Sequence, residues 1–427
     1  MTKNKHLEKY RDAIYKCIRC GACRAVCPTF GEELSETAVA RGRMTLVEAV
    51  LNGELELTDA FEQTVFRCAM CGACKANCPS GVDVPAILDA ARQDLVEEKR
   101  SVPVIRFLAR KSLKDKPTMD HSYALMALGR AAYGPLAATP LAKYLPYQYK
   151  DFKRQFPKIP MKQLLKRLPE LSKAAESRGV VALFAGCAIN YIFPEVGEAA
   201  VRVLNAAGYD VLVVKDEVCC GKPLKSLGEA DAYRELAEKT AALFGGLKVD
   251  AILTGCPTCA LTLREDYPKI LPESKTVRAL ADKVEDINRF LITKTDILQR
   301  LEAEGLQKLS VTYHDPCHLN HGMGVTREPR ELINAATGGG LVEMGEAGRC
   351  CGFGGVFSFL NYELSGRISS RKAENIIKTG AQAVATACPG CMMHLQDALK
   401  QAGAEAKTVH TVQLLDAALS NKKAKKK

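Results

Sequence analysis

The sequence predicts an α/β protein in which a mainly helical N-terminal region precedes a duplicated, Rossmann-like unit with a parallel sheet. Three observations indicate this fold class. Two matched cysteine runs with helical periodicity between them occupy about the first 100 residues. From about residue 180, short β-branched runs alternate with amphipathic helical stretches, and that whole alternation occurs twice. With 427 residues, 47% of them hydrophobic, the chain is large enough for several domains with buried cores.

Eight cysteines near the N-terminus form two runs of the same spacing, "CIRCGACRAVCP" and "CAMCGACKANCP". Three thiolates at i, i+3 and i+6 can surround one small cluster, whereas the fourth, which precedes a proline, ligates the other cluster in two-cluster ferredoxins. Zinc sites more often use two separated pairs. The spacing therefore predicts a ferredoxin-like domain with two [4Fe–4S] cubanes, the first held by Cys17, Cys20, Cys23 and Cys78, and the second by Cys68, Cys71, Cys74 and Cys27.

The stretch between the two cysteine runs predicts helices. "TAVARGRMTLVEAVLNGEL" has apolar residues at helical spacing and ends at Gly53, and "DAFEQTVFRC" is typical of a second, shorter helix. Two clusters held close together by such a frame pass single electrons and seldom transform a substrate. We therefore interpret this region as an electron conduit, which requires a donor and an acceptor.

The segment from Arg100 to Glu170 carries the whole net charge of the chain, +11, with fifteen Lys or Arg and four Asp or Glu. This composition suits an anionic membrane surface or an acidic partner, and it equally suits a solvated linker with helical pieces. No nucleic-acid reader motif accompanies the charge, so nucleic acid is not expected as a partner. The segment also contains five of the thirteen tyrosines: Tyr123, Tyr133, Tyr144, Tyr147 and Tyr149.

The other ten cysteines belong to the duplicated unit, where each copy has a single cysteine, an adjacent pair and a Cys-x-x-Cys. The intervals are 31 and 35 residues in the first copy and 32 and 36 in the second. All ten lie at or just past predicted strand ends, the edge at which open parallel sheets bind ligands. Five thiols exceed the need of one cubane, so the two sulfurs of a pair can reach different irons. We expect one site at Cys187, Cys219, Cys220, Cys256 and Cys259, and another at Cys317, Cys350, Cys351, Cys388 and Cys391.

The sequence leaves two alternatives to iron–sulfur clusters open for the paired-cysteine sites. Either site could be a cysteine-lined core without metal, and zinc could occupy one of them, because a metal-site argument does not force both copies to be filled alike. The two copies and the cysteine runs divide the chain into five segments. We expect a ferredoxin-like domain at 1–100, a basic linker at 101–179, two cysteine-rich domains at 180–305 and 306–420, and a Lys-rich tail at 421–427.

Four of the seven histidines accompany the second paired-cysteine site. An imidazole titrates near neutral pH and can deliver protons beside a redox centre. A structural, hydrogen-bonded role is equally compatible with the sequence for any one of them. The candidate proton donors are His314, His318, His321 and His394.

The chain has neither the apolar N-terminal run of a signal peptide nor a window of about 18 consecutive apolar residues. We therefore expect a cytoplasmic protein, with peripheral contact at the inner face of the membrane as an option that the basic segment raises. Cytoplasmic thiols are kept reduced, which favours metal ligands over disulfides. No GxGxxG follows a strand and opens a helix, so we expect no flavin on this chain.

Taken together, these motifs resemble the family that contains the iron–sulfur subunit of glycolate oxidase and the corresponding subunits of anaerobic glycerol-3-phosphate dehydrogenase and heterodisulfide reductase. The resemblance covers nearly the whole chain. "ARGRMTLVEAVLNGE" and "RCAMCGACKANCPSGVDVPAILDAARQDLVE" are most similar to the glycolate oxidase subunit, and "TGCPTCALTLREDYP" and "YHDPCHLNHGMG" to the other branches. In heterodisulfide reductase relatives, complete paired-cysteine motifs hold non-cubane [4Fe–4S] clusters, and both motifs are complete here, unlike the degraded first copy typical of the glycolate oxidase subunit.

The resemblance implies an electron-transfer subunit of a flavin-dependent lactate or glycolate dehydrogenase, with FAD on a partner subunit and a quinone or another carrier as acceptor. The intact second motif also fits a catalytic disulfide reductase, and a membrane-associated subunit of the glycerol-3-phosphate dehydrogenase type is a further option. From a different class, a peripheral membrane scaffold with structural zinc would bind zinc without iron and sulfide.

Overall fold

The computed structural model describes residues 4–99, 101–137, 159–302 and 309–425. Part of the basic segment, with Tyr144, Tyr147 and Tyr149, lies outside the described residues, as do the side chain of Tyr133 and the end of the Lys-rich tail. Within the described residues, the predicted α/β fold class is confirmed. A helical N-terminal region precedes two units that each contain a parallel sheet.

The N-terminal region is helical and has its own buried core, which includes Met44, Val47, Phe61 and Ile87. The second predicted helix begins at Thr58, whose hydroxyl accepts a hydrogen bond from the amide of Phe61 and so caps the helix. The helices are α1 (Lys5–Glu8), α2 (Arg11–Tyr15), α3 (Ala22–Val26), α4 (Pro28–Glu33), α5 (Ala40–Leu51), α6 (Asp59–Phe66), α7 (Ala73–Ala76) and α8 (Val84–Lys99).

The described part of the basic segment forms α9 (Pro103–Leu113), α10 (Lys116–Ala137) and α11 (Leu164–Arg167). Helices α9 and α10 form a hairpin that is fixed to the first unit and is therefore more than a solvated linker. Leu113 and Met119 enter the buried core of that unit. The guanidinium of Arg106 lies 2.5 Å from the nearly buried carboxylate of Glu229, an ion pair that water screens little.

The first unit contains a five-stranded sheet in the order β1-β3-β2-β4-β5, parallel except for β1. Its strands are β1 (Leu171–Ser172), β2 (Gly179–Leu183), β3 (Tyr209–Val213), β4 (Ala251–Thr254) and β5 (Val284–Asp286). Its helices are α12 (Gly186–Tyr191), α13 (Pro194–Ala206), α14 (Lys222–Ser226), α15 (Ala230–Phe244), α16 (Pro257–Leu261), α17 (Tyr267–Ile270), α18 (Lys275–Lys283), α19 (Ile287–Lys294) and α20 (Ile297–Glu302).

The second unit has a parallel sheet in the order β6-β7-β8. These strands are β6 (Val311–Tyr313), β7 (Ala383–Thr386) and β8 (Lys407–His410). The helices are α21 (Arg327–Thr337), α22 (Val356–Leu360), α23 (Tyr362–Ile377), α24 (Pro389–Gln401) and α25 (Thr411–Lys425).

The three strands of the second sheet correspond to β2, β4 and β5 of the first, and within the described residues the second sheet has no full strand in the place of β3 and none in the place of β1. Leu341 pairs with Val311 beside β6, where β3 pairs with β2 in the first unit, but the pairing is a single bridge. After this bridge the acidic side chains of the segment pair with arginines: Glu343 lies 2.5 Å from Arg330, and Glu346 lies 2.6 Å from Arg371. The segment before the second cysteine pair is therefore a loop and not a strand.

The two units share one buried cluster of apolar side chains, and α25 packs against α13 across the boundary. Polar contacts fix the same boundary. The hydroxyl of Thr411 donates to Asn288 Oδ1 at 2.7 Å, and His410 Nε2 donates to the carbonyl of Gly255 at 2.8 Å. These bonds hold the carboxyl ends of the two sheets toward each other.

Arg92, on α8, fastens the N-terminal region to the first unit. This buried guanidinium donates to the carbonyl of Ser226 at 3.0 Å and to the carbonyls of Val65 and Cys68 at 3.1 Å each. Bonds from a buried charge are strong, and leaving the carbonyls unpaired is costly. The second cysteine run is therefore held at a defined place against the first unit.

Candidate iron–sulfur centres

The first predicted cubane set surrounds one cavity beside α3, lined by Cys17, Cys20, Cys23 and Cys78. Two backbone features prepare the cavity for an anionic cluster. Gly21 adopts a left-handed conformation with φ +87°, which glycine reaches without strain, and the amide of Val82 donates to Cys78 Sγ at 3.4 Å. The structure therefore brings Cys78, from the second run, to the three leading cysteines of the first.

The second predicted cubane set is also assembled, and it lies beside the first. Cys74 lies near Cys68, Cys71 and Cys27 and also near Cys23 of the first run, and burial followed by these neighbouring thiols raises its pKa. The amide of Met70 donates to Cys68 Sγ at 3.4 Å. Cys27, from the first run, thus lies near Cys74 of the second run as well as near Cys23 of its own, and the crossed division of the eight cysteines between two clusters stays a prediction.

The first paired-cysteine set is connected by thiol–thiol contacts at the carboxyl ends of β2, β3 and β4. Cys219 Sγ lies 3.8 Å from Cys187 Sγ. Hydrogen bonds from Cys219 and Cys259 lower the pKa of Cys220, so the second cysteine of the pair is the favoured thiolate. Cys256 hydrogen-bonds Cys259 and completes the set of five.

The second paired-cysteine set repeats this pattern. Cys351 Sγ lies 3.5 Å from Cys391 Sγ, and hydrogen bonds from Cys350 and Cys391 lower the pKa of Cys351. Cys317 hydrogen-bonds Cys350, and Cys388 hydrogen-bonds Cys391. Each unit therefore gathers its five thiols in the same order.

Glycine after each cysteine pair has a steric reason. Gly221 and Gly352 adopt φ of +77° and +90°, and a Cβ at Gly352 would lie 2.8 Å from the carbonyl oxygen of Ser365. In both turns the glycine amide points back and donates at 3.4 Å to the first sulfur of the pair, on Cys219 or Cys350. The left-handed turn thus lets an adjacent pair face one site instead of opposite sides of a strand.

The second cubane set and the two paired-cysteine sets lie next to one another in a row. The thiol of Cys71, from the second cubane set, lies beside that of Cys350, from the second paired-cysteine set, which is the largest cause of the raised pKa of Cys71. The thiol of Cys388, in the same paired-cysteine set, lies beside that of Cys256 in the first, which lowers the pKa of Cys388. The order in space is therefore first cubane set, second cubane set, second paired-cysteine set and first paired-cysteine set.

Several polar contacts hold both cysteine runs against the second unit. Arg349, directly before Cys350, donates to the carbonyl of Cys27 at 3.4 Å. Asn361 Nδ2 donates to the carbonyl of Phe66 at 3.1 Å, and His318 Nε2 donates to the carbonyl of Met70 at 3.3 Å. These donors pair with loop carbonyls that would otherwise be buried without partners.

The four predicted histidines occupy different environments. Burial lowers the pKa of His314 to about 3 and that of His318 to about 4, so both imidazoles are neutral at pH 7. His314 lies with Cys351 and Cys391, and both of its ring nitrogens are buried without a partner. Burial also lowers the pKa of His321, which hydrogen-bonds the backbone of Gly348.

His394 is linked to the second cysteine pair through a serine. Its Nε2 lies 3.2 Å from Ser365 Oγ, which donates at 2.8 Å to the carbonyl of Gly352. The serine proton is used in that bond, so His394 Nε2 donates to the serine oxygen. This chain of bonds orients the turn, and the proton-donor role of the four histidines stays a prediction.

Sequence reasoning missed three side chains beside the paired-cysteine sets. Glu217, two residues before the first pair, accepts hydrogen bonds from the amides of Ala185 and Gly186, and burial raises its pKa to about 8. Lys372 lies under the second pair and donates to the carbonyl of Glu346; burial lowers its pKa to about 8. Glu217 stands two residues before the first pair in "EVCCG", so its position near that pair could have been predicted from the sequence. The position of Lys372 beside the second pair follows only from the packing of α23.

Tyr123 is the third missed residue, because the sequence indicated only a tyrosine-rich linker. Its side chain, on α10, is buried beside the thiol of Cys187. The ring stacks on Tyr191 with the centroids 4.0 Å apart, and Tyr191 donates to Asp120 at 2.6 Å. The α9–α10 hairpin therefore covers the first paired-cysteine set, the last in the row.

The residues present fit iron–sulfur clusters. The four sets contribute thiol sulfur, the ligand that such clusters prefer, and in each set a backbone amide donates to one of the sulfurs. Buried thiolates without metal would repel each other, and the raised pKa values of Cys71 and Cys74 reflect burial and those neighbours.

Comparisons with known proteins agree with this geometry. The 4Fe-4S dicluster domain matches residues 13–82, and the cysteine-rich domain family CCG matches residues 181–264 and 311–396. The probable glycolate oxidase iron-sulfur subunit of Bacillus subtilis is 30% identical over 96% of this chain and 95% of its own length. The chain belongs to this iron–sulfur family. The resemblance stated from the motifs is thereby confirmed.

Other relatives within the family carry different names. One is a subunit of the fumarate reductase (CoM/CoB) of Methanothermobacter marburgensis, 29% identical over 97% of this chain and 74% of its own length. Another is a subunit of the dihydromethanophenazine:CoB–CoM heterodisulfide reductase of Methanosarcina barkeri, 26% identical over 89% of this chain and 88% of its own. All three relatives are named as subunits, so members of the family work in multi-subunit assemblies.

The glycine turn provides a stability test of the site. In Gly352→Ala, the new Cβ meets the Ser365 carbonyl and the backbone is held in a region unfavourable to alanine, so we expect a loss of about 1–3 kcal/mol in the free energy of unfolding. Gly366→Ala, within α23 and with open space around its Cβ position, should be neutral or up to about 1 kcal/mol stabilising. Anaerobic denaturant unfolding measures both, and an equal effect of the two changes would contradict the steric argument.

Proposed function

We propose that this protein is the electron-transfer subunit of a flavin-dependent 2-hydroxyacid dehydrogenase that acts on lactate or glycolate. Its partner subunit would carry FAD, and a quinone or another carrier would accept the electrons. In this proposal the two cubane sets each hold a [4Fe–4S] cluster and the two paired-cysteine sets hold further [4Fe–4S] clusters, which supply one-electron steps between the two-electron donor and the acceptor.

The main support for this proposal is that neighbouring cysteine sets lie in contact with one another. Cys71 lies against Cys350 and Cys388 lies against Cys256, so the second cubane set and the two paired-cysteine sets follow one another without an intervening layer of protein. A catalytic site for a small acid would need one convergent pocket, whereas an electron conduit needs several centres in sequence. The named function of the Bacillus subtilis relative, a glycolate oxidase iron-sulfur subunit, supports the same interpretation.

The two ends of the row differ in a way that suits a donor and an acceptor. Cys20, in the first cubane set, is exposed, which would let a flavoprotein approach closely. The far end, at Cys187, is covered by the α9–α10 hairpin through Tyr123. We propose that electrons enter beside Cys20 and leave beside Cys187, with peripheral membrane contact on the exit side.

Protein side chains would tune the centres between these ends. The cation of Lys372 lies beside Cys350 and Cys351, and positive charge there favours the reduced form of a bound cluster. That effect suits the second paired-cysteine site as the first acceptor after the cubanes. Glu217, Tyr123 and the neutral histidines would exclude water and orient hydrogen bonds around the sulfurs.

Turnover by the purified complex tests the proposal. The tagged chain, isolated anaerobically with its partner subunits, should contain FAD on another polypeptide and should reduce a quinone analogue with lactate or glycolate. Cys350→Ser should abolish that turnover while flavin reduction by the acid continues, because the row is broken after the cubanes. The absence of turnover with any 2-hydroxyacid would overturn the proposal.

The exit end allows a test by redox titration. Tyr123→Phe keeps the stack on Tyr191 but removes the hydroxyl beside Cys187, a donor that would stabilise the reduced state of a bound cluster. We expect the midpoint potential of the first paired-cysteine site to fall by on the order of 20–60 mV, the equivalent of one hydrogen bond. Tyr209→Phe, in the same unit but bonded to Lys294, is the control; an equal shift in both variants would refute the assignment.

A second candidate function is supported by the contact between Cys256 and Cys388. Two complete paired-cysteine sites meet there, with His314 beside one of them, and a heterodisulfide reductase subunit is among the relatives. A disulfide substrate would be reduced by two electrons and take up two protons. Under this alternative, Cys350→Ser or Cys351→Ser should abolish disulfide reduction but leave the cubane EPR signals, and a variant that still reduces disulfides excludes it.

A further inference from the structure

The α9–α10 hairpin carries an unusual concentration of exposed apolar side chains. Seven of the fifteen large hydrophobic residues that are exposed among the described residues lie in its two helices. Five of them form two stripes at the i, i+3, i+4 spacing of one helical face. The stripe residues and their exposed fractions are Val104 (69%), Phe107 (60%) and Leu108 (56%) on α9, and Leu125 (55%) and Leu128 (57%) on α10.

Both stripes point away from the protein. The opposite face of α9 carries Leu113, and that of α10 carries Met119 and Tyr123, all packed into or against the core of the first unit. Glu229 pairs with Arg106 and also lies 3.5 Å from Arg110, which fixes the orientation of α9. The apolar face is therefore a fixed outer surface of the hairpin.

Positive charge borders one end of this face. Residues 101–137 contain six Lys or Arg and two Asp, a net charge of +4. Lys111 and Lys114 are both exposed at the end of α9, and Lys111 Nζ lies 5.6 Å from the ring centroid of Phe107. No helix in the described part of the chain is long and apolar enough to cross a bilayer. An apolar stripe bordered by cations on a short helix is the pattern of an interfacial helix that binds anionic lipid.

We propose that the outer face of the α9–α10 hairpin docks the protein on an anionic lipid bilayer. The stripe side chains would enter the headgroup–acyl boundary, and Lys111 and Lys114 would lie beside lipid phosphates. The inner face of the same hairpin bears Tyr123 on Cys187, so docking brings the last site of the row next to the membrane. That consequence, delivery of electrons to a lipid-soluble acceptor, rests on the proposed function, whereas the binding itself does not.

Cosedimentation of the full-length, cluster-loaded protein with lipid vesicles tests the docking. The wild type should bind vesicles of equimolar phosphatidylglycerol and phosphatidylcholine, bind phosphatidylcholine vesicles at least about tenfold more weakly, and lose most of the difference at high salt. Phe107→Ser/Leu108→Ser should weaken binding to the anionic vesicles by about tenfold or more. Lys111→Glu/Lys114→Glu should do the same by reversing two charges.

Matched changes on the second unit are the controls. Val342→Ser/Ile377→Ser removes exposed apolar side chains, and Lys378→Glu/Lys400→Glu reverses exposed charges, away from the hairpin. These variants should bind as the wild type does. Binding that is absent, indifferent to lipid charge, or equally weakened by controls and hairpin variants would overturn the proposal.

The same variants separate this inference from its alternatives. If the hairpin changes release a bound flavoprotein and leave vesicle binding intact, the face is a protein interface and the lipid proposal is wrong. Turnover with a water-soluble quinone analogue distinguishes the two proposals, since it needs the electron row and not the bilayer. Vesicle binding without such turnover would sustain the docking and reject the proposed function.

Discussion

The contact between Cys71 and Cys350 fixes how the cysteine sets of the N-terminal region lie relative to those of the second unit. It joins the helical N-terminal region to the second unit at a place where a cubane set and a paired-cysteine set can share electrons. Thiolates in this contact are buried, so each must be paired with amides, cations or metal. The surrounding structure meets that need: Lys372 lies beneath the cysteine pair, Arg349 binds the carbonyl of Cys27 in the first run, and Asn361 binds the carbonyl of Phe66 just before the second run.

Duplication explains how the row continues beyond this contact. Both units place most of their cysteines just past the carboxyl ends of parallel strands, where open sheets bind ligands, and the second cysteine pair reaches the same edge from a loop. The units face each other across Gly255 and His410, which brings Cys256 and Cys388 together. Each copy then receives a different neighbour: the second copy borders the cubane loop, and the first lies under the α9–α10 hairpin. The two paired-cysteine sites are alike in their thiols and differ in what covers them.

Much of this arrangement could be predicted from the sequence because metal ligands are marked by spacing. The prediction of crossed cubane sets follows from Cys27 and Cys78. Each is separated by three residues from the preceding cysteine of its run and is followed by a proline. The α/β alternation and its duplication were likewise visible in the pattern of β-branched and amphipathic stretches. The single bridge at Leu341 in place of a strand was not visible in that pattern. The positions of Tyr123 and Lys372 also depended on tertiary packing, which carries no local signal.

Pulsed EPR on partly reduced protein can show whether the clusters lie in one row, because it measures magnetic coupling between neighbouring clusters without a partner or substrate. If the four cysteine sets form one row, the second cubane is coupled both to the first cubane and to the second paired-cysteine site, and the two paired-cysteine sites are coupled to each other. A second cubane coupled to the first cubane alone, or paired-cysteine sites that carry zinc and no spin, would contradict the account.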